Sequence, residues 1–526
     1  WTFSLDSGRD RPSDAQDSLD PTSSFIAGRG ARALSALIRF AFNGNIPPSC
    51  RTWFLGGRLI ALRKEGDTPS HRRLRPITIG SVLGRVVSKC AAAGSAVRFS
   101  TIFQPPTCQS CSSRPRTQTD GSPWPVQVGV CCRNGTEIAH HAISALLDTH
   151  PDFIDVSLDM ANAFNTLSRN AFIPLVKTHL PDLHPWVSSM YGSSTSLYFG
   201  DSSHPDLPPT VILSKTGTRQ GCPLGAQLFA LGLHPLLCSL ARLMGQEGSV
   251  ISYSDDLHLV GSPATVALAL KSLLQPSPPL EASLSLDCRL SALGLSLSPG
   301  KSSILLGNEV TPAAIESNFG PQLLSSLGAS ISLISSTGHV VLGSPIGSSD
   351  YITTFAERAI DEARRILGLI SSLLLDRDST GAPDAGIFSP DEHNCLLRYT
   401  VRSKVSHLLR TLPPNTASQH FNRLHTDMLN YHLNICPQSV PHETALTFNL
   451  SSPHLDVKKL ASLPLALGGH GLLPFSSHER PLPHSDPPTN QADPTLTYHH
   501  ASFYASWACT WSRIRAWVPP LRDESF

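Results

Sequence analysis

Tyr253-Ser254-Asp255-Asp256 sets two carboxylates side by side between short apolar runs, Val250-Ile251 before them and Leu257 with Leu259-Val260 after them. Each run is too short for a helix and reads as a strand, so the acids fall at the tip of a tight hairpin. Adjacent carboxylates raise each other's pKa, and a hard divalent cation shared between their oxygens relieves that repulsion. Taken alone, the four residues also fit an ordinary exposed Asp-Asp turn.

A second segment narrows the choice. In Ile154-Asp155-Val156-Ser157-Leu158-Asp159-Met160 the apolar and polar residues alternate strictly. This period of two predicts a half-buried strand with Asp155, Ser157 and Asp159 on its open face. Asp159 then stands at the carboxyl end, just before Ala161-Asn162-Ala163-Phe164-Asn165 turns into a helical pattern. One strand ending in Asp and one hairpin tipped by Asp-Asp can supply three carboxylates to two metal ions about 3.5–4 Å apart, the arrangement that serves phosphoryl transfer.

Composition bounds the rest. At 526 residues the chain should hold more than one domain, and 40% hydrophobic residues suffice for real cores. The net charge is only +1, modest for a nucleic-acid enzyme, but it is unevenly spread. Between Arg51 and Lys89, nine basic side chains stand against Glu65 and Asp67 alone, a surplus of seven charges. A local basic surface of this kind steers polyphosphates; a merely solvated charged face is the alternative. The 12 cysteines follow no secretory leader, and Cys108-x-x-Cys111 with the adjacent Cys131-Cys132 suits a zinc knuckle poorly, so free thiols are expected. No run reaches the roughly 18 apolar residues of a membrane span, and no membrane partner is expected. Trp1 in place of Met suggests an excised or fragmentary reading frame.

Punctuation along the chain sets the expected elements. Residues 1–23 are polar and read as a tail, and a helix over Ser24–Phe42 stops at Asn43-Gly44-Asn45. A strand, a basic turn and a second strand precede a helix from about Ser81 to Ala96. A Pro- and Ser-rich loop over Pro105–Pro125 precedes a helix over Thr136–Asp148, and Pro235 should kink a helix running from Ala226. Ser349-Asp350 caps an amphipathic helix with Ile352, Phe355, Ala359, Ala363 and Ile366 along one side. Ser389-Pro390 starts another, and a third spans about Asn415–Leu433. Beyond Pro474 the chain reads as a linker, with Trp507, Trp511 and Trp517 assigned to another, truncated unit.

The segments that carry these acids, taken in order, resemble the reverse transcriptases of non-LTR retrotransposons. Seven motifs stand in register: Leu59–Lys64, Leu74–Gly80, Leu158–Asn165, Gly217–Gly225, the Tyr253 hairpin, Gly294–Lys301 and Leu342–Gly347. They cover roughly residues 46 to 350, and a weaker likeness runs to about 475. The Asn162-Ala163-Phe164-Asn165 form and Gly468-Gly469-His470-Gly471-Leu472 look most like the sequence-specific, restriction-like-endonuclease class. The endonuclease and Cys/His knuckle usual in that class are not found here. Asn165 stands where many relatives carry Asp, and Ser254 where Ala is more usual.

The resemblance implies an α+β fold of the right-hand polymerase type. Residues 1–45 would form an extension, 46–150 the fingers, 151–350 an antiparallel-sheet palm, 351–450 a helical thumb, and 451–526 a truncated C-terminal segment. It implies RNA-directed DNA synthesis with two Mg²⁺ ions, for which Mn²⁺ can substitute, on an RNA template and a DNA primer or nicked target, from deoxynucleoside triphosphates. No protein partner is inferred. Asp159, Asp255 and Asp256 would be the metal carboxylates, with the Met160 carbonyl an extra ligand. Phe164, five residues past Asp159, would exclude a ribose 2′-hydroxyl by its bulk. Lys64 and Arg75 would hold the triphosphate, although Arg63, Arg72 and Arg73 compete for the role. Gln220 and Gly221 would touch the nascent pair, Lys301 would protonate or offset pyrophosphate, and Leu342, Gly343, Ile346 and Gly347 would grip the primer end. The site of action would be intracellular, in the nucleus during integration. An RNA-dependent RNA polymerase, a group II intron-type maturase and a truncated relic that only binds nucleic acid are the competing readings.

Overall fold

The computed structural model describes residues 21–63, 74–104, 123–200, 208–274, 289–298, 301–327, 334–372, 392, 395–435, 498–518 and 521. Lys64, Cys108, Cys111, the insertion at 275–279 and the helix start at Ser389-Pro390 lie outside them. The chain divides by packing into two units.

The first unit comprises residues 1–95, 173–215 and 219–224. Its sheet has four strands in the order Leu74–Gly80, Gly57–Arg63, Thr195–Phe199, Thr210–Ser214. The basic turn joins the first two as an antiparallel pair, with Leu62 opposite Arg75. Trp186 anchors the core, its ring edge-on to Phe54 at 6.3 Å and its indole N–H donating to Ser88 Oγ at 3.3 Å. Ser81 caps the next helix by accepting from Gly84 N at 3.1 Å. That helix is Val82–Phe103, longer than the expected end at Ala96: it runs on through Gly94, with Phe99 and Phe103 buried. Residues 173–215 and 219–224, within the span expected to be palm, fall in this unit.

The second unit comprises residues 96–172, 216–218 and 225–526. Its sheet has six strands in the order Ile334–Ser335, Ser303–Leu306, Ile154–Asp159, Asp256–Gly261, Gly248–Tyr253, Val126–Gln127. The four central strands are antiparallel, and the two-residue edge strands run parallel to their neighbours. By alternation Ile251, Val260 and Leu305 share a face, and they pack with Ile138, Ile143 and Leu146 of helix Gly135–Thr149. The opposite side chains Val156, Leu158, Val250 and Leu259 are equally buried. Helix Gly225–Met244 and helix Pro263–Leu274 pack against these strands. With both faces covered, alternation marks the face a residue occupies without marking exposure. The expected open face is therefore closed at Asp155, which is wholly buried.

Helix Gly225–Met244 continues through Pro235 and is, among the described residues, the one helix long and apolar enough to cross a membrane. In this unit it is largely buried against the sheet, so its apolar character belongs to the core.

A separate hydrophobic cluster follows the sheet. Ile352, Ala356, Ile360, Ala363, Leu367 and Ile370 line helix Ser349–Ser372 and pack against Phe421, Leu424 and Met428 of helix Pro414–Ile435. This is the expected helical pair, with its inner stripe rotated slightly, since Phe355, Ala359 and Ile366 are only partly buried. The C-terminal helix Tyr498–Trp517 is no separate unit: Ile514, Trp517, Val518 and Leu521 enter the same cluster as helix Gly135–Thr149, and Phe503, Trp507 and Trp511 stack along it. Spacing hid this, because the aromatic side chains serve a long-range contact rather than a local repeat.

Candidate active site

The acidic site forms where two strands end together. Asp159 closes its strand directly opposite Asp256, which sets the two Cα atoms about 4.5–5.5 Å apart. Tyr253 pairs with Asp256 across the hairpin, leaving Ser254 and Asp255 as a two-residue loop with Ser254 left-handed at φ 58°. Gly129 lies so close that a Cβ there would meet Ser254 N at 2.2 Å, so the 128–129 backbone braces the tip. The strand end and the hairpin tip expected to carry the acids are thus paired in register, nearly a hundred positions apart in sequence.

Asp159 is held from the segment 294–301. Ser298 Oγ donates to Asp159 Oδ1 at 2.9 Å, Ser298 N donates to its carbonyl at 2.8 Å, and Lys301 Nζ sits 2.7 Å from Oδ2. Lys301 is therefore first a partner of the carboxylate; Ser298, which sequence reading passed over, is a second. Burial pushes the pKa of Asp256 up to about 6, with Asp255 and then Asp159 adding to the rise and His258 and Lys301 opposing it. Among the described residues, Lys301 is the ammonium that opposes this rise.

Among the described residues, no three His, Cys, Asp or Glu side chains are gathered as a finished metal cluster. The donor chemistry nevertheless fits a hard divalent cation: carboxylate oxygens only, a raised Asp256, and an ammonium already on Asp159. Met160 is buried, and its backbone bridges to Leu297, so only its carbonyl could join such a set.

Phe164 starts the short helix Ala163–Thr166, is partly exposed, and stacks on the buried Phe229 with ring centroids 4.6 Å apart. Thr218 N donates to its carbonyl at 2.6 Å, and Gly217 packs so tightly on Asn165 that a Cβ would sit 2.3 Å from that backbone. The ring is thus held on one side by Phe229 and partly exposed.

Arg75, Gln220 and Gly221 belong to the other unit. Arg75 is exposed at the start of its strand. Gln220 O accepts from Thr78 N at 2.7 Å, and Gly221, at φ 101°, approaches Thr78 O where a Cβ would stand 2.4 Å away. Arg219 beside them is buried and donates through Nη1 to Leu55 O at 2.6 Å and through Nη2 to Thr195 Oγ1. These bonds fasten the turn to its own unit.

The primer-grip residues form a two-stranded hairpin, Gly338–Val341 with Ser344–Gly347. Its loop is Leu342-Gly343 with both φ values positive, at 50° and 86°. Ile346 is buried in the core beneath helix Gly135–Thr149 and offers no side chain to a primer, while Gly343 and Gly347 are exposed. Of the cysteines, Cys131 and Cys132 are free thiols whose pKa burial pushes up.

Sequence reading also missed a buried layer beneath the acids. Asp155 lies 3.0 Å from His258 Nδ1 and 2.9 Å from His339 Nε2. Burial alone would raise its pKa, but the two imidazoles together hold it well below the usual carboxylate range, and Asp155 in turn raises His258. The signal available was small: an Asp, a His and a His at strand positions the alternation assigned to one face.

No protein-family profile matches this chain. It is 27% identical over 221 residues to the retrovirus-related Pol polyprotein from type-1 retrotransposable element R2 of Popillia japonica, covering 39% of this chain and 27% of that protein. It is 25% identical over 227 residues to the transposon TX1 uncharacterized 149 kDa protein of Xenopus laevis, covering 41% of this chain and 16% of that one. Among solved structures, telomerase from Candida albicans with a fragment of telomeric RNA aligns at a TM-score of 0.36 and 9% identity, over 74% of this chain and 60% of that one. The RNA-dependent RNA polymerase of a human picorbirnavirus aligns at 0.37 and 11%, over 74% and 61%. These structural likenesses are too loose to carry the fold, which stands on the strand order and the meeting of the acids. The class is an α+β protein with three carboxylates on a helix-backed sheet. Within that class the chain is a homologue of proteins named for the retrotransposable element R2 and the transposon TX1, as its motifs led one to expect.

Proposed function

We propose that this chain is an RNA-directed DNA polymerase that extends a DNA primer along an RNA template. One observation carries the reading: Asp159, at a strand end, stands in register with Asp256 beside Asp255, at a hairpin tip. Asp159, Asp255 and Asp256, with the Met160 carbonyl, would hold two Mg²⁺ ions, which when bound activate the primer hydroxyl and neutralise phosphate charge.

The chain's own residues supply position and selection. Ser298 and Lys301 fix the Asp159 carboxylate, and the Lys301 ammonium is at hand to offset the charge of departing pyrophosphate. The Phe164 ring, propped on Phe229, presents a bulky edge that a deoxyribose clears and a ribose does not. Arg75, Lys64, Gln220 and Gly221 keep the nucleotide-binding roles that the motif resemblance implies, and the Gly343 turn keeps the primer end.

The test is single-primer extension with Mg²⁺ on RNA and DNA templates, offered deoxy- or ribonucleotides separately. Deoxynucleotide incorporation on RNA is expected. Incorporation of ribonucleotides alone would favour an RNA polymerase, and binding without extension would favour a relic. In the same assay Phe164→Val should lower the preference for deoxyribose by on the order of 10²-fold, the scale of a lost steric rejection; unchanged sugar selection removes the gate.

A further inference from the structure

Among the described residues, the hairpin Gly338–Gly347 pairs with no other strand. An isolated two-stranded hairpin holds poorly by itself, so its alignment with the sheet that carries the acids rests on side chains. Three ties are hydrogen bonds: His140 Nε2 with Pro345 O at 3.2 Å, His407 Nε2 with Gly343 O at 3.2 Å, and Ser344 Oγ with Thr411 Oγ1 at 2.8 Å. The fourth joins two side chains: His339 reaches from the hairpin to place Nε2 2.9 Å from Asp155 Oδ2, and its other ring nitrogen meets Ser303 Oγ at 3.2 Å.

Asp155 lies on the Asp159 strand and Ser303 on the next strand of the same sheet. Asp155 also binds His258, two residues beyond Asp256 on the hairpin strand. A single carboxylate, wholly buried, therefore joins three elements: the strand of one acid, the strand that follows the other two, and the Gly343 hairpin. A carboxylate buried this deeply between two imidazoles contributes little stability over an apolar alternative, but it holds its partners to a narrow geometry.

We infer that Asp155, through His339, is a positioning residue that sets the Gly343 hairpin, and with it the primer end, against the acidic tip. The inference rests on the polymerase reading above, and the chemical step itself does not involve Asp155.

The experiment uses the full chain and compares wild type with Asp155→Asn and His339→Leu in single-nucleotide extension, with active molecules counted by burst amplitude. Each variant should lose on the order of 10²-fold in rate per active molecule, the cost of about 1 Å of misplacement, with the deoxynucleotide KM within about twofold of wild type. The double variant should be no slower than either single one, because both cut the same tie. A purely structural role would lower only the burst amplitude and leave the rate per active molecule unchanged, and that result, or multiplying effects in the double variant, overturns the inference. Hydrogen exchange gives a readout without activity: amides of residues 338–347 should lose protection in both variants, and unchanged protection overturns the tie even where a variant is inactive. An inactive wild type whose hairpin protection still depends on Asp155 removes the polymerase reading and the primer role, and leaves the tie.

Discussion

Asp155 and Asp159 lie on one strand and one face, four positions apart, yet their surroundings are opposite. Around Asp155 a closed layer supplies two imidazoles, and the carboxylate is held low. At the Asp159 end the sheet opens, and Asp256 opposite it is raised to about 6 by burial and by its acidic neighbours. Depth alone would raise both, so partners decide. The buried layer sets its acid between two imidazoles, while at the tip the acids raise one another. Acids crowded at the open end of a sheet are the pattern of a site that takes up a cation, and the crowding costs the free protein stability.

The comparison breaks outright if the tip carries no chemistry. Asp159→Ala and Asp255→Ala should each cut primer extension on RNA by on the order of 10⁴-fold, the scale of several kcal/mol of metal-derived stabilisation. Either variant extending at wild-type rate would end the metal assignment. Asp155→Ala should act on stability instead. Removing one partner of a buried pair strands the other, at a cost of about 3–5 kcal/mol, visible as a lower melting temperature. The sign with pH follows from both partners. The lowered Asp155 contributes above the ordinary carboxylate range and is lost as pH falls through its folded value; the raised His258 contributes below the ordinary imidazole range and is lost as pH rises through its own. The gap in melting temperature between wild type and variant should therefore be widest from about pH 4 to about 6.5 and shrink on either side. A gap independent of pH would show that packing, not charge, is at stake.

Asp256→Asn should move stability the other way. A carboxyl with a folded pKa raised to about 6 binds its proton more readily folded than unfolded, so its ionised form costs stability above that pH. Discounted for solvent screening at a partly exposed site, the neutral amide should stabilise the metal-free protein by roughly 1–2 kcal/mol at pH 8 while abolishing extension. A destabilised Asp256→Asn, melted in chelator, would remove the contrast between tip and layer.

Much of this contrast was legible in the sequence, and the reasons for the rest are physical. The hairpin tip and the Asp159 strand end were readable because period-two alternation and a two-residue turn are local signals. The helices Gly135–Thr149 and Pro414–Ile435 appeared nearly within their expected bounds for the same reason. Asp155 was placed on the right face and given the wrong environment, since what covers a strand is settled by elements far away in the chain, here His339 and helix Gly135–Thr149. Ile346 was read as a grip residue from a motif, although its burial depends on a helix some two hundred positions earlier. Residues 173–215 join the first unit through the pairing of Thr195–Phe199 with Gly57–Arg63 and through Trp186 on Phe54, long-range contacts that no local pattern announces.

The smallest effect sharpens the picture most. Ser298 donates to Asp159 Oδ1, while Lys301 faces Oδ2. If the tip is short of positive charge, the ammonium is its electrostatic partner and the hydroxyl only orients the carboxylate. Ser298→Ala should then cost about 0.5–1.5 kcal/mol, a roughly two- to tenfold slower extension, most of it recoverable by raising Mg²⁺. Lys301→Met should resist that rescue, because an added metal ion at Asp159 does not restore a proton donor or a charge opposite pyrophosphate. The two titrations against Mg²⁺ separate orientation from charge. If Lys301→Met were rescued as fully as Ser298→Ala, Lys301 would be a stand-in for metal on Asp159 and nothing more, and the role facing pyrophosphate would fall to another cation.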